Sequence, residues 1–222
     1  GDEKEYEHHF YSLLDAFKDH RYIRVDDKPA FMIYEPLKFP NVHQFIKKWQ
    51  LLAQENGLNG IHFIGQTQKA NKEKNQILDL GFDAINAVRI YDILQNKSKL
   101  NRAISKLKRL VFGTALYENY SSAVKYLTDT NFDAANDVYP TILPGWDHTP
   151  RSGKGGFLFH NYTPDLFEKH VKNVFKVLQH KPDEKKIAFI KSWNEWAEGN
   201  YLEPDLKFGT KFLNVIKRLK NI

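Results

Sequence analysis

The 222-residue sequence has no cysteine, which excludes disulfide staples, thiolate nucleophiles and cysteine metal sites and permits a cytoplasmic setting. No run approaches the roughly 20 apolar residues needed to cross a bilayer. Nor does the sequence open with the basic, apolar and small-residue succession of a secretory signal. No Gly-x-Gly-x-x-Gly or Gly-x-x-x-x-Gly-Lys-[Ser/Thr] run follows a strand-like segment, which argues against a nucleotide-binding doubly wound domain. The nine histidines show no metal-ligand spacing, and 33 basic against 27 acidic residues leave a formal net charge of +6. That excess suits a phosphate-bearing ligand or an anionic membrane surface and is too small to argue for nucleic acid.

What is present is apolar and aromatic. Hydrophobic residues make up 41%, with 16 Phe, 11 Tyr and 4 Trp. This is enough for one sizeable core, read as a single domain over 1–222, and it excludes disorder. Mean hydropathy of −0.58 marks a water-soluble surface. Basic charge gathers at Lys97, Lys99, Arg102, Lys106, Lys108 and Arg109. The pattern reads as a solvated helix face, with anion or peripheral membrane contact as the alternative.

Two hydrophobic periods alternate along the chain. Phe10, Leu13, Leu14 and Phe17 recur at helical spacing and predict a helix over about 4–17. After Lys28-Pro29, residues 30–34 read as a buried strand ended by Pro36. Asn41 is expected to cap a helix bearing Val42, Phe45, Ile46, Trp49, Leu52 and Ala53, which Gly57 ends. Further strands are expected at 60–64, 84–88, 138–142 and 187–190. A helical turn is expected near 76–80, helices over about 98–109 and 121–127, and a loop over 144–162. Thr163 and Pro164 open a helix with Phe167, Val171, Val174, Phe175 and Leu178 on one face. Phe208, Phe212, Val215, Ile216 and Leu219 mark a closing helix.

Five strands, apolar on both faces and nearly all followed by helices, predict an α/β fold with a helix-covered parallel sheet. The polar clusters sit just after strands, where a (β/α) barrel places its chemistry, and this selects the barrel over the open sheet. Five strands do not close an eight-stranded barrel, and the chain opens on a helix. The expectation is a (β/α)8 TIM-barrel type present as about five βα units, with the first three missing.

The densest chemical signal is Trp193-Asn194-Glu195-Trp196-Ala197-Glu198-Gly199, continuing through Tyr201, Glu203 and Asp205. Carboxylates interleaved with aromatic rings suit a sugar: rings cover pyranose faces, and carboxylates and amides bond hydroxyls and move protons. Glycoside chemistry needs two carboxyl groups about 5–10 Å apart around the anomeric carbon, and Glu195 and Glu198 in one turn can supply them. The alternative is an acidic turn with Trp193 and Trp196 as core fillers. A second cluster, Gly145-Trp146-Asp147-His148-Thr149-Pro150-Arg151, also follows a strand. Arg151 there either binds an anion bidentately or pairs with Asp147. Tyr34 and Gln66 end two other strands and aim at the same notional face. Ser152 lacks the strand–turn–helix context of a hydrolase nucleophile.

These runs resemble the signature of the WbsX-type proteins, glycosyltransferases associated with O-antigen and capsule assembly. Supporting matches are Tyr22-Ile23-Arg24-Val25-Asp26 and Gly60-Ile61-His62-Phe63-Ile64-Gly65. That family is similar in turn to the endo-α-mannosidases, which are (β/α)8 barrels. The resemblance implies that Glu195 draws the proton from a sugar 2-hydroxyl, leading through an anhydro-sugar intermediate. It implies that Glu198 protonates the leaving oxygen and then activates the acceptor, and that the strands run from the fourth to the eighth of the barrel. The expected substrate-binding residues are Asn194, Trp193, Trp196, Tyr201, Trp146, Asp147, Arg151, Tyr34 and Gln66. No metal or cofactor is expected. The partner is a glycan or lipid-linked oligosaccharide in a cytoplasmic or membrane-associated setting, with a missing barrel half or self-association covering exposed sheet edges. The rival readings are an endo-α-mannosidase-like hydrolase and a non-catalytic glycan-binding module.

Overall fold

A computed structural model describes residues 3–219 apart from 99, 101–102, 105–106, 108–110 and 112. In chain order its elements are α1 (Glu3–Lys18), β1 (Arg24–Val25), β2 (Lys28–Tyr34), α2 (Val42–Glu55), β3 (His62–Thr67), α3 (Ala70–Asp79) and β4 (Ala84–Ala87). Then follow α4 (Asp92–Gln95), β5 (Leu116–Asn119), α5 (Tyr120–Ala123), β6 (Val138–Ile142), α6 (Thr149–Ser152), β7 (Phe157–His160) and α7 (Pro164–Leu178). The last are β8 (Phe189–Ile190), β9 (Asn194–Glu195), β10 (Asn200–Tyr201) and α8 (Lys211–Leu219). The fold is mixed α/β. It gathers into two compact units, one of residues up to Val88 with Ala135–Tyr139 and Lys181–Ile187, the other of the remainder.

In the first unit β2, β3 and β4 are parallel neighbours, with Ala30 opposite His62 and Ile64 opposite Ala84. β1 adds a two-residue antiparallel edge to β2. The start of β6 follows β4: the Ile85 N–H donates to the Asp137 carbonyl at 2.9 Å, and Asn86 Nδ2 to the Tyr139 carbonyl at 3.0 Å. The core centres on Trp49 of α2, fully buried, with the rings of Phe45, Phe31 and Phe10 at 4.5, 4.7 and 5.5 Å. Trp49 Nε1 donates to the Tyr6 carbonyl at 3.0 Å, which ties α1 to α2. Each such ring contributes about 2–3 kcal/mol by leaving water, so the apolar stripe of α1 is what docks it.

In the second unit the end of β6 pairs with β8 in parallel, and β5 pairs with β7. Below them α7 and α8 bury Phe167, Val171, Val174, Phe212 and Val215 against Ile142 and Leu202. Thr163 Oγ1 accepts the Leu166 N–H at 3.3 Å, as its position before Pro164 predicts.

Several expectations change. Asn41 precedes α2 in a left-handed conformation, φ 57°, and its side chain makes no capping bond. β8 is only two residues long, and the region 144–162 holds α6 and β7 rather than a plain loop. There Phe157 and Phe159 are buried and alternate with half-exposed Leu158 and His160, a period of two that lies within one four-residue strand. Burial on both faces holds for β4 and β6 but fails for β2 and β8, where Met32, Tyr34 and Ile190 are exposed. Among the described residues β2 has a second ladder partner only at Lys28 and Pro29. The helix expected over 121–127 is one turn at 120–123, capped by Asn119. The helix expected over 98–109 and its basic cluster fall mostly outside the described residues; Lys97 is described and pairs with Glu118.

Candidate functional site

The site is built in the second unit on two loops that leave the ends of β6 and β8. Leu143, just past β6, is held on both sides of its backbone. Its N–H donates to His170 Nε2 at 3.1 Å, and its carbonyl accepts from Tyr120 Oη at 2.5 Å. His170 is fully buried, and burial lowers its pKa to about 4, so the imidazole is neutral. Because Nε2 is the acceptor, the ring proton sits on Nδ1, toward the Thr141 backbone, where no hydrogen bond of full geometry forms. Burial likewise raises the Tyr120 pKa, which keeps its phenol a donor.

The two loops then lie backbone against backbone. The Asp147 N–H donates to the Glu198 carbonyl at 2.6 Å. A Cβ on Gly145 would stand 2.9 Å from the Gly199 carbonyl oxygen, and one on Gly199 would stand 2.9 Å from Asp147 Cβ. Gly199 also has φ +52°, the left-handed conformation that ends the 3-10 turn at Trp196–Glu198. Glycine is required at both crossing points by closeness, and at Gly199 by dihedral as well. On the far loop Ser192 Oγ donates to the Asn200 carbonyl at 2.7 Å and accepts the Glu195 N–H at 3.2 Å. The Trp193 carbonyl accepts the N–H groups of Leu202 and Glu203. These bonds aim the β9–β10 hairpin at the first loop.

Two carboxylates converge on one guanidinium at this crossing. Arg151 Nη2 donates to Glu195 Oε1 at 3.0 Å, and Arg151 Nε lies 3.6 Å from Glu198 Oε1. His148 Nε2 stands 3.7 Å from the same Glu198 oxygen. The Glu198 side chain is 12% exposed and that of Glu195 34%. Arg151 therefore pairs with the glutamates rather than with Asp147. Asp147 Oδ1 instead accepts the Thr149 N–H and hydroxyl at 2.9 and 2.6 Å and opens α6.

Aromatic rings flank the carboxylates. Trp193 and Trp196 are 52% and 48% exposed, so neither fills the core. Trp196 stacks on Tyr201 with centroids 3.7 Å apart and planes at 14°, which leaves its other face open. Its Nε1 donates to Glu203 Oε2 at 2.7 Å, and Tyr201 Oη donates to Asp205 Oδ2 at 3.0 Å. Burial, with Tyr162 and Asp205 nearby, raises the Tyr201 pKa and keeps it protonated. Trp146, expected as another stacking ring, is 3% exposed. It lies parallel to His148 at 5.8 Å, under the Lys191 ammonium at 5.6 Å.

The chain matches the family described as Glycosyltransferase WbsX over residues 2–216. It belongs to that family. Two relatives, each named "Uncharacterized protein WxcX", come from Xanthomonas campestris pv. campestris: one, from strain B100, is 30% identical over 201 residues and the other, from a second strain, 30% over 205. Either alignment covers 89% of this chain and 28% of the relative, so the chain spans well under a third of their length. No solved structure gives a significant match.

In this WbsX-family chain the structure brings Glu195, Glu198 and Arg151 together, sets Asn194 exposed at the start of β9, and places Trp193, Trp196 and Tyr201 on the same hairpin. Tyr34 and Gln66 are cross-strand partners in the first unit. They line a cleft of about 140 Å³ there with Glu35, Lys38, Thr67 and Glu73. Gln66 Nε2 donates to Asn86 Oδ1 at 3.2 Å. Sequence reading passed over His148 and Ser152 as a pair, though four residues apart on one turn is the spacing at which side chains meet. It also passed over His170, whose position on the buried face of α7 gave no sign of its backbone partner. Among the described residues no three His, Asp or Glu side chains gather as a metal site, and no helix is long and apolar enough to cross a membrane.

Proposed function

We propose that this chain carries the catalytic carboxylates of a glycosyl-transferring enzyme of cell-surface polysaccharide synthesis, with Glu195 and Glu198 acting at an anomeric carbon. The observation that carries the reading is the convergence of both carboxylates on Arg151, beside the exposed faces of Trp193 and Trp196. Two acids that contact one guanidinium fit the roughly 5–10 Å separation of glycoside chemistry. The rings supply the flat apolar surface that a pyranose stacks on. Membership of the WbsX family supports transfer as the reaction class.

In this reading Glu195 is the base that takes the 2-hydroxyl proton as the sugar oxygen closes on the anomeric carbon. Glu198 gives its proton to the leaving oxygen, then takes one from the acceptor hydroxyl as it attacks. Glu195 returns its proton to the 2-oxygen, and both carboxyl groups end as they began. Arg151 positions the pair, Asn194 donates to a hydroxyl, and the Tyr201 oxygen, whose proton goes to Asp205, accepts from one. The parallel βα units are read as part of a (β/α)8-type arrangement. With water as acceptor the same steps give hydrolysis, so the acceptor separates a transferase from an endo-α-mannosidase-like enzyme.

The test supplies the protein with α-mannosides and with lipid- or nucleotide-linked sugar donors and follows products by mass spectrometry. An elongated glycan that vanishes with Glu195→Gln supports transfer, and free sugar that vanishes supports hydrolysis. Binding without turnover in every case would replace the catalytic reading with a glycan-binding module, for which the open Trp196–Tyr201 stack is the favouring feature.

A further inference from the structure

We infer that His148 is a positioning residue for Glu198: it aims an N–H at the Glu198 carboxylate, which selects that tautomer, and Ser152 completes it by donating to the other ring nitrogen. The inference rests on the catalytic reading of Glu198 and adds to it a residue from the other loop.

The two glutamates differ in their partners. Glu195 receives a direct hydrogen bond from Arg151, which is always charged and only a donor. Glu198 sees that guanidinium at 3.6 Å and an imidazole at 3.7 Å, both at Oε1. The imidazole therefore offers Glu198 a second donor beside the permanent cation. Two ring contacts and one backbone bond place the imidazole. Its ring lies parallel to Trp146, with planes at 8°. Its backbone N–H donates to the Phe157 carbonyl at 3.0 Å. Its Nδ1 lies 3.0 Å from Ser152 Oγ.

That last contact is compatible with either tautomer. A serine hydroxyl donates as readily as it accepts, so the choice falls to the other ring nitrogen. There Nε2 faces a carboxylate oxygen, which accepts only. For a ring carrying one proton, the consistent arrangement has Ser152 Oγ–H donating to Nδ1 and Nε2–H directed at Glu198 Oε1. At 3.7 Å the pair is looser than a formed hydrogen bond, as catalytic contacts often are without substrate. The charged and titratable groups around the ring are Glu198 from the 3-10 turn, Arg151 from α6 through the same oxygen, and Lys191 over the Trp146 ring. Asp147 is turned away into its bonds with Thr149. The N–H then steadies Glu198 in its ionised form, the form it takes between donating to the leaving oxygen and accepting from the acceptor. The rotamer and tautomer are in place beforehand.

Two measurements test this, the first independent of turnover. Ring-nitrogen NMR of the protein above pH 7 should report His148 as the Nε2–H tautomer, should keep it in Ser152→Ala, and should shift away from it in Glu198→Gln, whose amide can donate as well as accept. An Nδ1–H tautomer, or a spectrum indifferent to Glu198→Gln, overturns the inference while leaving the catalytic glutamates untouched. The second is kinetic. His148→Phe keeps a ring on Trp146 and removes both nitrogens. It should lower kcat about 10–100-fold with KM within about threefold, the effect of one hydrogen bond to a charged group. His148→Ala should recover part of that loss on adding imidazole, which a merely structural defect would not do. Wild-type kcat in His148→Phe, or no rescue of a folded His148→Ala, refutes the role. Absence of turnover in wild type refutes the underlying function instead, and the NMR arm still decides the pairing.

Discussion

Acidification from pH 7 to pH 5 should destabilise this protein through one buried side chain, His170. The ring is fully buried on α7 and neutral, its pKa lowered from 6.5 to about 4 by burial. The unfolded chain therefore binds a proton that the folded chain refuses between those two values. Stability from this group is complete above about pH 6.5 and is lost as pH falls from there toward 4. At about 1.4 kcal/mol per pH unit the full loss is about 3 kcal/mol, of which about 2 kcal/mol falls between pH 7 and pH 5. That is a large share of a typical domain stability of about 5–15 kcal/mol. Other groups titrate in the same range, among them His62, which burial also holds low, so the measurement must be differential. Urea unfolding of wild type and His170→Gln at pH 7, 6 and 5 isolates the term. The glutamine amide can accept the Leu143 N–H and donate toward Thr141 without titrating. The variant should start less stable at pH 7 and lose about 2 kcal/mol less than wild type on going to pH 5. Equal losses in the two proteins would refute the claim that His170 is buried and neutral. Because Leu143 begins the loop that carries Trp146, Asp147, His148 and Arg151, the same acid opening should disorder the site.

The glycine crossing gives a second expectation. Gly199→Ala must place a methyl 2.9 Å from Asp147 Cβ at a φ of +52° and should cost about 1–3 kcal/mol by overpacking and strain, read as a lowered urea midpoint at unchanged slope. Arg151→Lys keeps the charge but loses the fork that reaches both glutamates. It should lower turnover about tenfold or more, measured as kcat/KM against wild type. Trp196→Ala removes the exposed face of the Trp196–Tyr201 stack and should weaken glycan binding by about 1–3 kcal/mol with little change in unfolding free energy, checked by calorimetry beside denaturation. Trp49→Ala, by contrast, should cost about 3–5 kcal/mol in stability, because Trp49 is buried among at least five aromatic rings in the first unit.

The sequence by itself determined the elements whose periodicity is long and unambiguous. The stripes of α1, α2 and α7 are apolar at helical spacing over fourteen or more residues, and each forms where its pattern lies. The apolar runs of β3, β4 and β6 become parallel strands because helices flank them in the chain. Sequence also marked the residues of the hairpin at 193–205, since aromatics and carboxylates rarely crowd so closely without a surface to share. It did not resolve the short strands β5, β7 and β9. Their pairing partners lie far along the chain or across a tight hairpin, and so short an element carries too few residues to show a period.

Tertiary structure alone decided who meets whom. Asp147 and Arg151 sit at a spacing that suggests an ion pair, yet Asp147 closes onto Thr149 and Arg151 turns to Glu195 and Glu198, 44 and 47 positions away in the sequence. Trp146 and Trp196 are equally plausible rings in the sequence. One is buried against His148 and the other lies open on Tyr201. The reason is physical: a side chain's neighbours in space are set by where two loops cross. Here that crossing depends on two glycines approaching within a methyl's width and on a neutral histidine holding the strand end from which one loop leaves.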